Sequence, residues 1–197
     1  MDRMMLMDDH DGRRPEADTL LHTCCAPCSI ECIDCLEEEG LHPLAFFSNS
    51  NIHPLTEFQR RLETLRSYSG ERGFPLVVDE RYQLDRFLAG VARDSANRCR
   101  YCYDMRLRSA ARKAKELSLG RFTTTLLISP YQDRETLCRV GRAVGREYGL
   151  EFLEMDPRSR FRAGQQRAVE MGMYRQKYCG CIYSERDRYS RSRSARS

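Results

Sequence analysis

The chain has 197 residues, 41% apolar and 31% charged, with a net charge of +4 and ten cysteines. That length suits one domain with a substantial core, and no apolar run approaches the roughly 18 residues of a membrane span, which argues against a membrane partner. The opening stretch has neither the apolar core nor the cleavage site of a secretory signal, so a cytoplasmic location is expected.

The first 18 residues carry six acids against three arginines and are expected to form a disordered acidic tail. "TLLHT" (19–23) predicts a buried strand running straight into Cys24-Cys25, with a helix from about Ser29 to Glu39 that Gly40 stops. "PLAFFSNS" (43–50) predicts a second strand. The helix after it, 54–73, opens on a proline and aligns Leu55, Phe58, Leu62 and Leu65 on one face. "FPLVVDE" (74–80) is a third strand, "RYQLDRFLAGVAR" a helix, and 99–118 a longer helix rich in good helix formers. "FTTTLLIS" (122–129) reads as a fourth strand, "RETLCRVGRAVGREYG" as a helix, "LEFLEMD" (150–156) as a fifth strand and "AGQQRAVEMG" as a last helix. The end, 184–197, has five arginines against one Glu and one Asp and no apolar period, so disorder is expected there.

Strands alternating with helices predict a single α/β domain over 19–183: a mainly parallel sheet with helices on both faces, Rossmann-like or HUP-like. Such sheets bind ligands outside the carboxyl ends of their strands. The predicted ends carry Cys24 and Cys25, then Ser48 to His53, Asp79, Ser129 to Gln132, and Asp156.

In a reducing compartment, clustered cysteines point to metal or redox chemistry rather than a disulfide framework. Adjacent cysteines are awkward for one tetrahedral ion, but a larger cluster offers separate metal atoms to neighbouring residues. Cys99-x-x-Cys102 places two thiols on one side of a helix start, where the dipole, Arg98 and Arg100 favour thiolates. With Cys24 and Cys25 they make four thiolates, which suit an iron–sulfur cluster or structural zinc. The vicinal pair favours the cluster, and Cys28 is a spare thiol close by. Cys179-Gly180-Cys181 can close a strained, easily reduced disulfide or serve as a ligand pair. Cys32, Cys35 and Cys138 read as small buried hydrophobes in helices.

"LLHTCCAPCS", "NSNIHPLTEFQRR", "NRCRYCYDMRL", "LLISPYQ" and "YRQKYCGCIYS", in that order, resemble the QueH family of epoxyqueuosine reductases over about residues 19 to 184. The resemblance implies reduction of epoxyqueuosine to queuosine at the wobble position of tRNA, without cobalamin. It implies a 4Fe-4S cluster on Cys24, Cys25, Cys99 and Cys102, an additional iron nearby, and a redox-active disulfide between Cys179 and Cys181. An electron donor is required, and its identity stays open. Removing the epoxide oxygen also needs a proton donor. Tyr131, Asp79 and His22 are the candidates, although a strand-end hydrogen bond would equally explain His22 and Asp79. Arg60, Arg61, Arg158, Arg160, Arg162, Arg175 and Lys177 are candidate phosphate partners, and Tyr174, Tyr178 and Tyr183 candidate platforms for a splayed base. His53 reads as a helix-start packing residue. Two other readings are a zinc-stabilised RNA-binding protein and another α/β nucleotide or sulfur-transfer enzyme. The latter lacks a Gly-rich phosphate loop after strand one.

Overall fold

A computed structural model describes residues 17–92 and 94–194. Five strands form one parallel sheet: β1 (Thr19–His22), β2 (Pro43–Ser48), β3 (Leu76–Asp79), β4 (Arg121–Thr124) and β5 (Glu151–Phe152). Their order is β3-β2-β1-β4-β5. The α/β expectation therefore holds, with β1 at the centre. His22 is in register with Phe46 on one side and Thr124 on the other.

The helices among the described residues are α1 (Ala26–Glu38), α2 (Leu55–Arg72), α3 (Leu84–Val91), α4 (Arg98–Glu116), α5 (Arg134–Tyr148), α6 (Phe161–Glu170) and α7 (Ile182–Ser194). They pack in two sets, α1 with α2 and α6, and α4 with α3 and α5. Right-handed crossovers put those sets on opposite faces of the sheet. Strand order reverses between β1 and β4, so a crevice opens at their carboxyl ends.

Several details differ from the sequence reading. Helix α1 begins three residues earlier than expected, because Pro27 in its first turn presets the backbone and Cys25 is its extended N-cap. Cys28 is thereby drawn into the first turn. The fourth strand stops at Thr124, whose side chain accepts the Leu126 N–H and turns Thr125–Ile128 into a 3-10 helix. The fifth strand is two residues long. Leu55 starts α2 but is 44% exposed, leaving Phe58, Leu62 and Leu65 as the buried face.

In the stretch 184–197, read from sequence as disordered, α7 runs through Ser194, and 195–197 lie outside the described residues. Its order comes from side chains that a periodicity reading does not register. Arg98 pairs with Asp187 at 2.6 Å, and Arg98 and Arg186 both lie 5.5 Å from the Tyr183 ring. The expected acidic tail lies, for residues 1–16, outside the described residues. Leu20, Leu21, Phe47 and Phe122 are fully buried at the sheet's centre and hold the crevice rigid from below.

Candidate metal centre and cysteine pair

The carboxyl end of β1 leads into α1 through three buried thiols. Cys24, Cys25 and Cys28 place their sulfurs within 4.8 Å of one another, close enough to share one metal ion. Cys24 and Cys25 Sγ atoms are 3.7 Å apart. Thr125, at the start of the 3-10 helix, accepts the Cys24 N–H at 3.2 Å and faces Cys24 Sγ at 3.3 Å. The early end of β4 thus serves the site.

Crowding divides the protons among these thiols. Hydrogen bonds from Cys25 and Cys28 hold Cys24 well below the usual thiol range, against its burial, with Arg106 adding to the effect. Burial and the Cys24 charge push Cys25 up to about 12. Cys28 is raised by the same two neighbours and by burial. Of the three, Cys24 therefore gives up its proton most readily, and a metal entering the trio displaces protons.

Arg106 lies behind the trio, one helical turn after Cys102 on α4, and is 2% exposed. Its Nε donates to His22 Nε2 at 3.3 Å, one terminal nitrogen donates to Asn49 Oδ1 at 2.7 Å, and the other faces Cys102 Sγ at 3.9 Å. His22 Nδ1 meets Thr124 Oγ1 at 2.8 Å. His22 Nε2 also lies 3.3 Å from the Ser48 carbonyl. Burial and the Arg106 charge lower the His22 pKa to about 3, so the ring is neutral.

Cys102 is buried and Cys99 exposed. The expected thiolate character of this pair is reversed: burial raises both, Cys102 to about 12, and outweighs the Arg98 and Arg106 charges. Neither joins Cys24, Cys25 and Cys28 within the reach of a single ion. Cys102 instead shares an apolar cluster with Cys181, Phe87, Val91 and Met105.

The segment before α7 closes over the trio. Gln176 Nε2 donates to Cys25 Sγ at 2.9 Å and lies 3.8 Å from Cys28 Sγ. Its Oε1 is buried with no partner. Arg61, expected on the surface as a phosphate partner, is 1% exposed. It pairs with Glu57 at 2.7 Å and donates to the carbonyls of Cys179 at 2.9 Å and Tyr178 at 3.0 Å. Tyr178 donates to the His53 carbonyl at 2.6 Å, and the His53 N–H donates to the Gly180 carbonyl at 2.8 Å. Within this clasp Cys179 is exposed and Cys181 buried, both as free thiols. Ser184, in the first turn of α7, directs its N–H at Cys181 Sγ at 3.4 Å.

The remaining expected site residues fall elsewhere. Tyr131 is 84% exposed, its ring against Phe161. Asp79 lines a polar cavity of about 290 Å³ with Ser48, Arg81, Arg108 and Ser109. Burial opposes its ionisation, but the Arg81 hydrogen bonds prevail and hold it below the usual carboxylate range. Arg158 pairs with Asp156, and Arg160 with Glu38. Arg60 lies 5.7 Å from the Tyr174 ring, and Tyr174 donates to Glu57. Arg175 donates to Gln165; Arg162 and Lys177 are exposed. His53 is buried between Tyr82 and Phe87, in keeping with a packing role. Cys32 and Cys138 are buried, as expected, whereas Cys35 is part-exposed. Arg106, Gln176, Asn49, Thr125 and Ser184 are the residues sequence reasoning passed over or left without a role. Of these, Arg106 left a signal, four residues after Cys102 on one helix face.

A family model described as "Epoxyqueuosine reductase QueH" matches residues 19–187. Three relatives carry the name "Epoxyqueuosine reductase QueH". That from Dehalococcoides mccartyi is 35% identical, over 89% of this chain and 96% of its own length. That from Histophilus somni is 34% identical, over 85% and 72%. That from Streptococcus pyogenes is 32% identical, over 93% and 76%.

Proposed function

The chain belongs to the epoxyqueuosine reductase QueH family, and on that premise we propose that it reduces epoxyqueuosine to queuosine at the wobble position of tRNA, the last step of queuosine biosynthesis. The observation that carries this reading is the buried Cys24–Cys25–Cys28 group, set at the reversal of strand order where such sheets take their ligands.

The donor set fits a metal group. All three atoms are soft sulfurs, Cys24 the most readily ionised, and the orphaned Gln176 Oε1 leaves a polar atom free beside them. We assign Cys24, Cys25, Cys99 and Cys102 to a 4Fe-4S cluster, with Cys28 as the neighbouring thiol available to an additional iron. Thiolates of a polynuclear cluster stand farther apart than those of a single ion, which accommodates Cys99 and Cys102 standing outside the single-ion group. When bound, the cluster supplies electrons one at a time and its iron can act as a Lewis acid.

The chain's own residues supply the rest. Overall, two electrons and two protons convert the epoxide to an alkene and water. Cys179 and Cys181 form the second redox element, a dithiol that cycles with its disulfide. Exposed Cys179 is the natural meeting point for a reductant, and buried Cys181 has the Ser184 N–H to support a departing thiolate. Among the three acid candidates, His22 is buried and neutral, with both ring nitrogens hydrogen-bonded within the protein, and Asp79 is an ion-paired carboxylate. Tyr131 at the rim is the remaining one. Arg162, Lys177 and the other exposed basic residues give the tRNA backbone its docking surface. We place the catalytic unit at 19–183, with α7 continuing from it. Wobble nucleosides from a strain lacking this gene test the assignment by mass analysis. Epoxyqueuosine should accumulate and queuosine vanish; an unchanged queuosine content would refute it.

A further inference from the structure

Arg106 is a guanidinium enclosed in the core with no carboxylate beside it. Its three contacts are a neutral imidazole, an amide oxygen and a sulfur. Arginine stays protonated at any pH a protein survives. A buried charge needs a counter-charge, since desolvation otherwise dominates. The other buried guanidinium, Arg61, obeys this rule through Glu57 at 2.7 Å. Among the described residues no carboxylate forms an ion pair with Arg106.

The neutral partners are fixed. His22 supplies no negative charge; its ring is neutral, with Nδ1 2.8 Å from Thr124 Oγ1. Asn49 is polar but uncharged, and its Nδ2 donates to the Thr23 carbonyl at 2.9 Å, which keeps Oδ1 turned to Arg106. Sulfur remains. Cys102 Sγ is 3.9 Å away.

Resting on the metal-centre reading above, we infer that Arg106, whose guanidinium lies 3.9 Å from Cys102 Sγ, is the resident counter-ion of the thiolate centre, and that it sets how readily the centre accepts an electron. Reduction adds negative charge beside a fixed cation in a dry pocket, where Coulomb interactions are strong. The cation favours the reduced state. It is a positioning residue: it orients Asn49 and His22 and touches a ligand sulfur, but donates nothing to the substrate.

The test uses the full chain with its centre assembled anaerobically and no tRNA, so it is independent of whether epoxyqueuosine is the substrate. Arg106→Met should move the midpoint potential to more negative values and speed metal loss to a chelator. Arg106→Lys keeps the charge but loses the planar fork, and should stay near the unsubstituted protein in both. Asn49→Ala removes a neutral partner and should leave the potential in place. A Met variant with unchanged potential and metal retention overturns the inference. So does a Lys variant shifted as far as Met, because the guanidinium's shape rather than its charge would then matter. If the Met variant does not fold, the Lys and Asn49→Ala potentials decide. If the centre carries zinc, the functional reading fails, and chelator-driven metal loss across the same variants still reads the counter-charge.

Discussion

Gln176 donates a 2.9 Å hydrogen bond to Cys25 Sγ across 151 residues of sequence. It joins the C-terminal segment to the first turn of α1 and roofs the three-thiol group. An N–H aimed at a ligand sulfur orients that ligand and lowers its electron density. Replacing Gln176 with Leu should weaken metal retention by about 10- to 100-fold, the usual range for an outer contact on a ligand. Iron and sulfide content after timed exposure to a chelator measures it. Gln176→Glu, which sets a carboxylate against the Cys25 and Cys28 sulfurs, should retain no more metal than Leu.

Exposure separates the cysteines in the reduced, metal-free protein. Brief alkylation should mark Cys99 and Cys179 well before buried Cys24, Cys25, Cys28, Cys102 and Cys181. Supplying iron and sulfide should then protect Cys99, as a cluster ligand, and leave Cys179 reactive. Peptide mass mapping reads both. Protection of Cys179 together with Cys99 would make the Cys179–Cys181 pair a ligand pair instead. The Cys179→Ser/Cys181→Ser variant should stay brown yet stop after one turnover.

His53 is buried against Tyr82 and Phe87, and burial lowers its pKa to about 4 despite the nearby Ser50 carbonyl. The unfolded chain protonates this histidine near its ordinary value of about 6.5. Between those values the unfolded state binds the extra proton, so stability falls as pH drops from about 6.5 to 4, by on the order of 3 kcal/mol. Urea unfolding at several pH values should follow this slope. His53→Phe, which keeps the ring stack, should flatten it.

Gly180 holds φ at +146°, and a methyl group there would meet Ile52 at 3.1 Å and Arg61 at 3.3 Å. Gly180→Ala should cost about 1–3 kcal/mol from backbone strain. It should also loosen the Arg61 clasp on Cys179. Thermal unfolding gives the first effect. The second should appear as a changed rate of Cys179–Cys181 oxidation with metal content unaltered.

The parallel sheet was legible because its strands are short apolar runs bounded by polar ends, and Gly73 and Gly149 closed α2 and α5 as left-handed caps. Cys24, Cys25 and Cys28 were legible as a group because they are nearly consecutive. The rest depended on contacts that no local pattern encodes. Thr124 ends β4 through its own hydroxyl, although threonine ordinarily favours strands. Arg61 and Arg106 look like any surface arginine until the fold brings Glu57 to one and sulfur to the other. Helix α7 has no apolar stripe, and what ties it down, Arg98, lies 89 positions away from Asp187.

The roof over the three thiols also has a history in time. Cys24, Cys25 and Cys28 are synthesised about 150 residues before Gln176 and the clasp on Tyr178 and Cys179. Over that interval the sulfurs stand open to whatever metal or oxidant reaches them. Loading the centre correctly is therefore a race between delivery and closure.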